Sequence, residues 1–516
     1  MSRLINLGAI IRSDLPGDQL AFISPVDDQR QRQITFSQLD RRADAIGRGL
    51  LARGLATGCR VAIIGRNSID SIACLLGILR AGLVAVPLNH KFPADTLEKI
   101  LADSDARLIF GEAAQLARIE SPVPTVSFDP DAEQGLDRFV DEGPLDAWPP
   151  GADSLALLLY TSGSTGMPKG VRLTHASQRW TVETRLQQHE LDNQRILIAA
   201  PLYHMNALAL SLLALASHIT AVLLPQFSAA EYIRAIDRYR CSWLSAVPPM
   251  IAMMLQQPAL LAQSSLASVK VVRMGSAPVN QSLYQQIHQL LPEATIINAY
   301  GTTEGGPVVF GPHPHGLAPP LGSPGYPHPQ VQVRLRDAEG RESAERGILE
   351  MKSPGLMQGY HQRPDIRPPF TEEGFYITGD VFERDEQGFF SFVGRQDDMF
   401  VSGAENIYPS EVEHLLERHP AVQQACVVAI NDDIKGTKPV AWVRLHQGHR
   451  LTADALKAFA LAHGPAYLHP RHIWFVENFT LASTNKIDRR ALTRAAQERV
   501  AQEDKTPGGD TAGING

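Results

Sequence analysis

Cysteine is scarce in this chain: 516 residues hold four, Cys59, Cys74, Cys241 and Cys426, scattered without metal-ligand spacing. That excludes a disulfide framework and a thiolate metal site, and it reads as buried, reduced thiols in a cytoplasmic protein. Positive charge is short as well. Lys and Arg number 48 against 55 Asp and Glu, a net charge of −7, and no long basic stripe offsets the balance, so no nucleic-acid partner is expected. No secretory leader is expected, because Met1 to Gly17 carries charges and has no long apolar core. The nearest thing to a membrane-length apolar run is Ala207 to Leu224, but His218 and Thr220 interrupt it and Leu224-Pro225 ends it. A buried helix followed by a strand over Ile219 to Leu224 accounts for it better, without stable membrane insertion. There is no internal repeat.

What is present describes an ordinary globular chain, 44% hydrophobic and 20% charged, and too long for one core, so two or more units are expected. Strand-like runs at Arg60 to Ile64, Leu83 to Leu88 and Arg107 to Phe110 alternate with helical patterns at Ser68 to Arg80 and Asp95 to Ala102. The alternation returns with strands at Arg195 to Ala200, Ile219 to Leu224, Trp243 to Val247, Val269 to Met274 and Thr295 to Asn298. This is the signature of βαβ units on parallel sheets and predicts two layered α/β subdomains. Beyond the Pro, Gly and His-rich stretch from Gly311 to Gly325, the short runs Gln332 to Arg336 and Ile348 to Lys352 read as antiparallel.

Gly394-Arg395-Gln396-Asp397-Asp398 reads as a polar hinge into a small α+β unit. There Ser410 and Glu413 stand at capping-box spacing, with Val412, Leu415 and Leu416 on one helical face. Strands at Cys426 to Ile430 and Val440 to Leu445 and a helix through Ala453 to Ala462 follow. The tail after Glu503 has almost nothing to bury and is expected to be disordered.

The run Thr161-Ser162-Gly163-Ser164-Thr165-Gly166-Met167-Pro168-Lys169-Gly170 leaves the end of an apolar strand, Leu155 to Tyr160. Its glycines let backbone N–H groups curl round an anion, its hydroxyls add donors, and Lys169 adds a mobile positive charge. It is not a Walker A loop, since the G-x-x-x-x-G-K-[ST] spacing is absent. Downstream, in order, stand PLYHMNA from Pro201, NAYGTTE from Asn298, YITGD from Tyr376, GRQDDMFVSGAENIYPSEVE from Gly394 and NKIDRR from Asn485.

With these motifs in this order the chain resembles the adenylate-forming superfamily: acyl-CoA synthetases, aryl-CoA ligases, firefly luciferase and the adenylation domains of peptide synthetases. The resemblance spans nearly the whole sequence. It implies a large N-terminal domain, 1–396, of two layered α/β subdomains plus a small β-barrel-like one. A small mobile α+β C-terminal domain, 397–502, and a disordered tail, 503–516, complete the expected architecture.

The activity it implies is ATP-dependent ligation of a carboxylic acid to coenzyme A through an acyl-adenylate, with Mg²⁺. Two anions meet in that chemistry, so charge stabilisation must dominate. By the resemblance, the loop from Thr161 through Ser162, Gly163, Ser164, Thr165 and Gly166 to Lys169 holds the β- and γ-phosphates. Asn298 and Tyr300 stand at adenine, with Ala299, Gly301 and Thr302 in the same nucleotide loop, Thr303 at the α-phosphate and Glu304 as the metal ligand. The segment Gly275-Ser276-Ala277 forms a purine-pocket wall. Asp380 accepts the ribose hydroxyls, with Arg395 as its companion; Ile377 stands where relatives often carry Arg or Lys.

The resemblance also implies that Lys486 bridges the incoming carboxylate and the ATP phosphate; here Asn485 precedes it where many relatives have Gly. It implies further that Asp397 is the hinge about which the C-terminal domain turns, withdrawing Lys486 and presenting the Gly403 loop to the phosphopantetheine channel, and it places Lys435 where a CoA phosphate is expected.

By the same resemblance His204 is expected to gate the acid's carboxylate, and the expected acid pocket comprises Met205, Asn206, Ala207, Val247, Arg273, Gly306 and Pro307. The absence of an Asp in Tyr203-His204-Met205-Asn206 disfavours an amino acid. An aromatic or short-to-medium-chain acid is expected. Arg273 leaves two readings: it pairs with a buried acid, or it binds a second carboxylate of the substrate. A carrier protein in place of CoA, a homodimer, and a non-catalytic acyl-nucleotide binder stay open.

Overall fold

The computed structural model describes residues 6–25, 31–161, 168–188, 191–275, 279, 281–366, 369–402, 405–432, 436–481 and 487–503. Two parallel sheets form the α/β body. One has six strands in the order Thr125–Ser127, Ala106–Gly111, Arg60–Ile64, Val84–Leu88, Leu155–Thr161 and Lys169–Thr174, all parallel except the last pair. The other has seven, in the order Thr295–Ala299, Val271–Gly275, Trp243–Ala246, Ile196–Ile198, Ala221–Leu223, Leu20–Pro25 and Gln31–Thr35, again antiparallel only at its end.

Strands such as Val84–Leu88 are buried along their whole length, which is why they read as continuous apolar runs rather than alternating ones. The helix Ile69–Arg80 is buried on every side. Its Gly77 lets it approach the helix Phe36–Ala52 so closely that a Cβ would sit 2.8 Å from the Ala43 carbonyl oxygen. The first two strands escaped the sequence reading: Leu20–Pro25 joins the second sheet across Ala221–Leu223, far along the chain. Helix Met205–Ala216 followed by strand Ala221–Leu223 is the expected outcome for the long apolar segment. No helix among the described residues is long and apolar enough to cross a membrane.

The third unit is an antiparallel five-stranded sheet, Glu342–Ser343, Gln332–Arg336, Arg346–Lys352, Tyr376–Arg384 and Phe390–Arg395. A bridge from Gly325 to Phe390 links it to the two-stranded ribbon of Phe310–Gly311 and Tyr326–Pro327. After a short 3₁₀ turn at Gln396–Asp398, the last unit packs helices Pro409–Glu417, Ala453–His463 and Arg489–Glu503 on a sheet whose long strands are Val422–Asp432 and Gly436–Leu445.

The capping box expected at Ser410 and Glu413 is not there. Tyr408 is the N-cap residue, Pro409 opens the helix, and no side chain caps it. Ser410 instead donates to the Val393 carbonyl across the junction between units. Glu413 is drawn into its own unit by Arg489 at 2.7 Å and by the Val427 N–H at 2.7 Å. A residue pattern alone does not reveal that both side chains have stronger partners elsewhere.

Candidate active site

The carboxyl ends of strands Val271–Gly275 and Thr295–Ala299 open onto a cleft of about 1650 Å³. That is where an α/β sheet presents ligand-binding loops. Its opposite walls come from strands Tyr376–Arg384 and Phe390–Arg395 and from Glu411, His414 and Glu417 on the first helix of the C-terminal unit.

Asp380 lies in this cleft at 4% exposure. The Tyr300 hydroxyl donates to its Oδ2 at 2.5 Å, and Arg395 Nη1 stands 3.1 Å from its Oδ1. Arg395 can reach because it is the register partner of Asp380 on the adjacent antiparallel strand. The irregularity in the strand just before Asp380 is fixed by Gly379 at φ +71, a conformation that favours glycine, and by Thr378 Oγ1, which accepts the Asp380 N–H at 3.0 Å. Burial and the Asp380 charge push the Tyr300 hydroxyl well above its ordinary range, so it remains a donor. The Tyr300 ring is held edge-on to Phe382 at 4.8 Å. Burial alone would lower the Arg395 guanidinium, but Asp380, Asp397 and Asp398 together raise it. It also reaches the expected hinge, 3.8 Å from Asp397 Oδ2.

A second cluster joins residues of distant motifs. Tyr360 donates its hydroxyl to Glu304 Oε1 at 3.1 Å, while Lys169 Nζ lies 5.2 Å from the Tyr360 ring centre. Burial and the Glu304 charge push the Tyr360 hydroxyl upward. Glu304 offers one carboxylate, and among the described residues no group of three or more His, Cys, Asp or Glu could hold a metal. That donor set suits Mg²⁺ carried in on nucleotide phosphates, which needs only one or two protein carboxylates, and not a standing protein-only site.

Thr161, Gly275, Asn298, Ala299, Gly301, Thr302, Thr303, His204, Met205, Asn206, Val247, Arg273, Pro307 and Asp397 also line the cleft. Asn298 donates its side-chain amide to the Gly322 carbonyl. His204 is the N-cap residue of helix Met205–Ala216 and packs edge-on against Tyr203, ring centres 4.7 Å apart.

Two expected pocket residues lie elsewhere. Ala207 is fully buried and packs in the core, one helical step round from the cleft-lining Met205 and Asn206. Gly306 stands behind the wall, where at φ +81 it closes the Thr302 turn by donating its N–H to the Thr302 carbonyl. Ser162, Gly163, Ser164, Thr165, Gly166, Ser276, Ala277, Gly403, Lys435 and Lys486 lie outside the described residues. Beside Lys486, Leu481 and Ile487 pair in an antiparallel bridge.

Arg273 is 8% exposed and makes one hydrogen bond among the described residues, from Nη1 to Asn206 Oδ1 at 3.3 Å. No described acid pairs with it. Burial pushes its guanidinium down to about 10. Sequence reasoning missed its neighbour, Arg185, at 2% exposure on helix His175–Gln188. Among the described residues both terminal nitrogens of Arg185 are buried without a hydrogen-bond partner, and burial together with the Arg273 charge pushes the group well below its ordinary value. A signal was available: Ser177, Gln178, Thr181, Thr184 and Arg185 form a buried polar stripe at helical spacing. Tyr360 was also missed, and its local sequence carries no mark of its reach to Glu304.

Fold and cleft together define a layered α/β chain with a cleft walled by the carboxyl ends of its strands, by its antiparallel sheet and by the first helix of its C-terminal unit. Residues 13–361 match the family described as AMP-binding enzyme, and 411–486 match its C-terminal domain. A feruloyl-CoA synthase from Amycolatopsis sp. is 32% identical over 458 residues, 88% of this chain and 92% of that protein. A sulfoacetate–CoA ligase from Cupriavidus necator is 33% identical over 478 residues, 90% of this chain and 92% of the relative. Among solved structures, ATP-bound MatB from Rhodopseudomonas palustris superposes with a TM-score of 0.86 at 25% identity, covering 96% of this chain and 99% of the other.

The chain belongs to the AMP-binding enzyme family, within the adenylate-forming superfamily. It is an AMP-forming acid–CoA ligase.

Proposed function

We propose that this cleft runs two half-reactions in turn. The acid's carboxylate attacks the α-phosphorus of ATP, forming a P–O bond as the bond to pyrophosphate breaks. The thiol of CoA then attacks the acyl carbon and AMP leaves, with the thiol proton passing to solvent. Asp380 holds the ribose hydroxyls, and Tyr300 and Arg395 keep its carboxylate aimed. Tyr300 and Asn298 flank the adenine. Thr303 and Lys169 stabilise the phosphates, and Lys486 bridges carboxylate and phosphate during adenylation. Glu304, oriented by Tyr360, would hold Mg²⁺, which draws charge from phosphate oxygens. His204 screens the incoming carboxylate. The division at 396/397 makes Asp397 the pivot, Gly403 the loop that follows Lys486 into place, and Lys435 a contact for CoA phosphate. The acid is a small carboxylate, aromatic or short to medium in chain.

The observation that carries this reading is the buried carboxylate of Asp380 between a tyrosine hydroxyl and an arginine, on the cleft wall facing the nucleotide loop. A desolvated acceptor of that kind is suited to a vicinal diol. Acid-dependent exchange of pyrophosphate into ATP tests the first half-reaction, and AMP plus thioester formed with CoA, compared with a phosphopantetheinyl carrier, tests the second. Exchange with thioester on CoA is the expected result. Thioester on the carrier alone would make the chain a carrier-loading ligase, and no exchange with any acid would leave a non-catalytic binder.

A further inference from the structure

Two arginines, Arg273 on the wall of the acid pocket and Arg185 within reach of its charge, are buried with no described carboxylate to neutralise them. Arg273 reaches the cleft wall from strand Val271–Gly275, and Arg185, on helix His175–Gln188 and away from the cleft lining, is near enough to feel its charge. Burying one unpaired guanidinium is costly, and burying two within reach of each other's field is more so. Asn206, which accepts from Arg273, keeps its other amide atom on Ser245 Oγ at 3.4 Å, so it orients the fork without cancelling its charge. Such an arrangement is stable in use only if an anion arrives to satisfy it. The apolar tail of a simple monocarboxylate would leave both cations unpaired.

We propose that the physiological acid carries a second anionic group, a carboxylate or a sulfonate, at the end remote from the reacting carboxylate, and that Arg273 binds it. Arg185 acts through Arg273 as a positioning residue, raising the positive potential behind the fork. A planar guanidinium pairs with two oxygens of either anion. Arg273 lies two residues before Gly275 on the same strand face, a depth of roughly 7 Å, so the spacer between the two anionic groups is short. The inference rests on the ligase reading above and narrows its substrate class.

The test compares short α,ω-dicarboxylates and ω-sulfocarboxylates with monocarboxylates matched in length, reading pyrophosphate release by the full chain with ATP, Mg²⁺ and CoA. The best dianion should exceed its matched monocarboxylate in kcat/KM on the order of 100-fold. Which series wins tells carboxylate from sulfonate. Arg273→Gln should collapse that ratio towards unity, and Arg273→Lys should restore part of it. Arg185→Met should raise KM for the dianion more than it lowers kcat.

Thermal shift of the same acids in the presence of a non-hydrolysable ATP analogue reads the site without turnover. Stabilisation by dianions that is lost in Arg273→Gln supports the anion site even if no acid releases pyrophosphate, in which case only the ligase reading fails. Pyrophosphate release that favours monocarboxylates, a ratio unchanged by Arg273→Gln, or no dianion-specific shift overturns the proposal while leaving the ligase intact.

Discussion

Tyr300 and Asp380 show how much one hydroxyl carries. The bond is short, charge-assisted and largely removed from water, so Tyr300→Phe should lower stability by roughly 1.5–3 kcal/mol while leaving the ring against Phe382. Denaturant midpoints at constant slope measure it. The same variant should raise KM for ATP, because Asp380 loses the partner that aims it; an unchanged KM would detach this pair from the nucleotide.

His175 sets a pH limit. It is 1% exposed, its Nδ1 accepts the Leu7 N–H at 3.2 Å, and burial pushes it down to about 4. Between that value and the ordinary 6.5 the unfolded chain binds a proton that the native ring refuses. Stability is therefore full above about 6.5 and falls as pH drops through the window, by about 1.4 kcal/mol per pH unit from this residue. His175→Gln, which retains an acceptor, should flatten that part of the acid limb in urea titrations, and an unaltered slope would refute it.

Among elements, the junction between the antiparallel sheet and the C-terminal unit is the most exacting. A Cβ on Gly394 would lie 2.9 Å from Ser410 Oγ and 3.0 Å from Tyr408 Cδ1, where Ser410 also donates to Val393. Arg346 adds a bridge to Glu411 at 3.0 Å. Gly394→Val should push helix Pro409–Glu417 off strand Phe390–Arg395 and quicken limited proteolysis at residues 396–398. A digestion rate equal to wild type would mean that this contact does not hold the units together.

Legibility in the sequence follows from the same physics. The parallel strands were readable because burial on both faces makes them uninterrupted apolar runs. The pairing of Leu20–Pro25 with Ala221–Leu223 was not, since register across such a separation leaves no local mark. Motif order pointed to Asp380, Tyr300, Arg395 and Glu304, and the fold brings them to one cleft. The Arg185 partner of Arg273, the Tyr360 link between Glu304 and Lys169, and the diversion of Ser410 and Glu413 from their cap all depend on tertiary neighbours.

For the whole molecule, the account requires one cleft to serve two reactions by turning one unit against the other. The segment bearing Lys486 leads into helix Arg489–Glu503, which Arg489 fastens to Glu413 and to the Val427 carbonyl at 2.8 Å, so the lysine should travel with the C-terminal unit. Lys486→Ala is expected to cut acyl-adenylate formation by at least about 100-fold. Thioester formation from supplied acyl-adenylate should stay within a few-fold of wild type. Equal losses in both half-reactions would count against the alternation.

The most direct measurement of the central claim is a crystal structure of the protein bound to a non-hydrolysable acyl-adenylate analogue. The account predicts the ribose hydroxyls on Asp380, the adenine against Tyr300, and the acyl group directed along Met205 and Asn206 towards Arg273. Density for the nucleotide anywhere outside the cleft between the two units would contradict it.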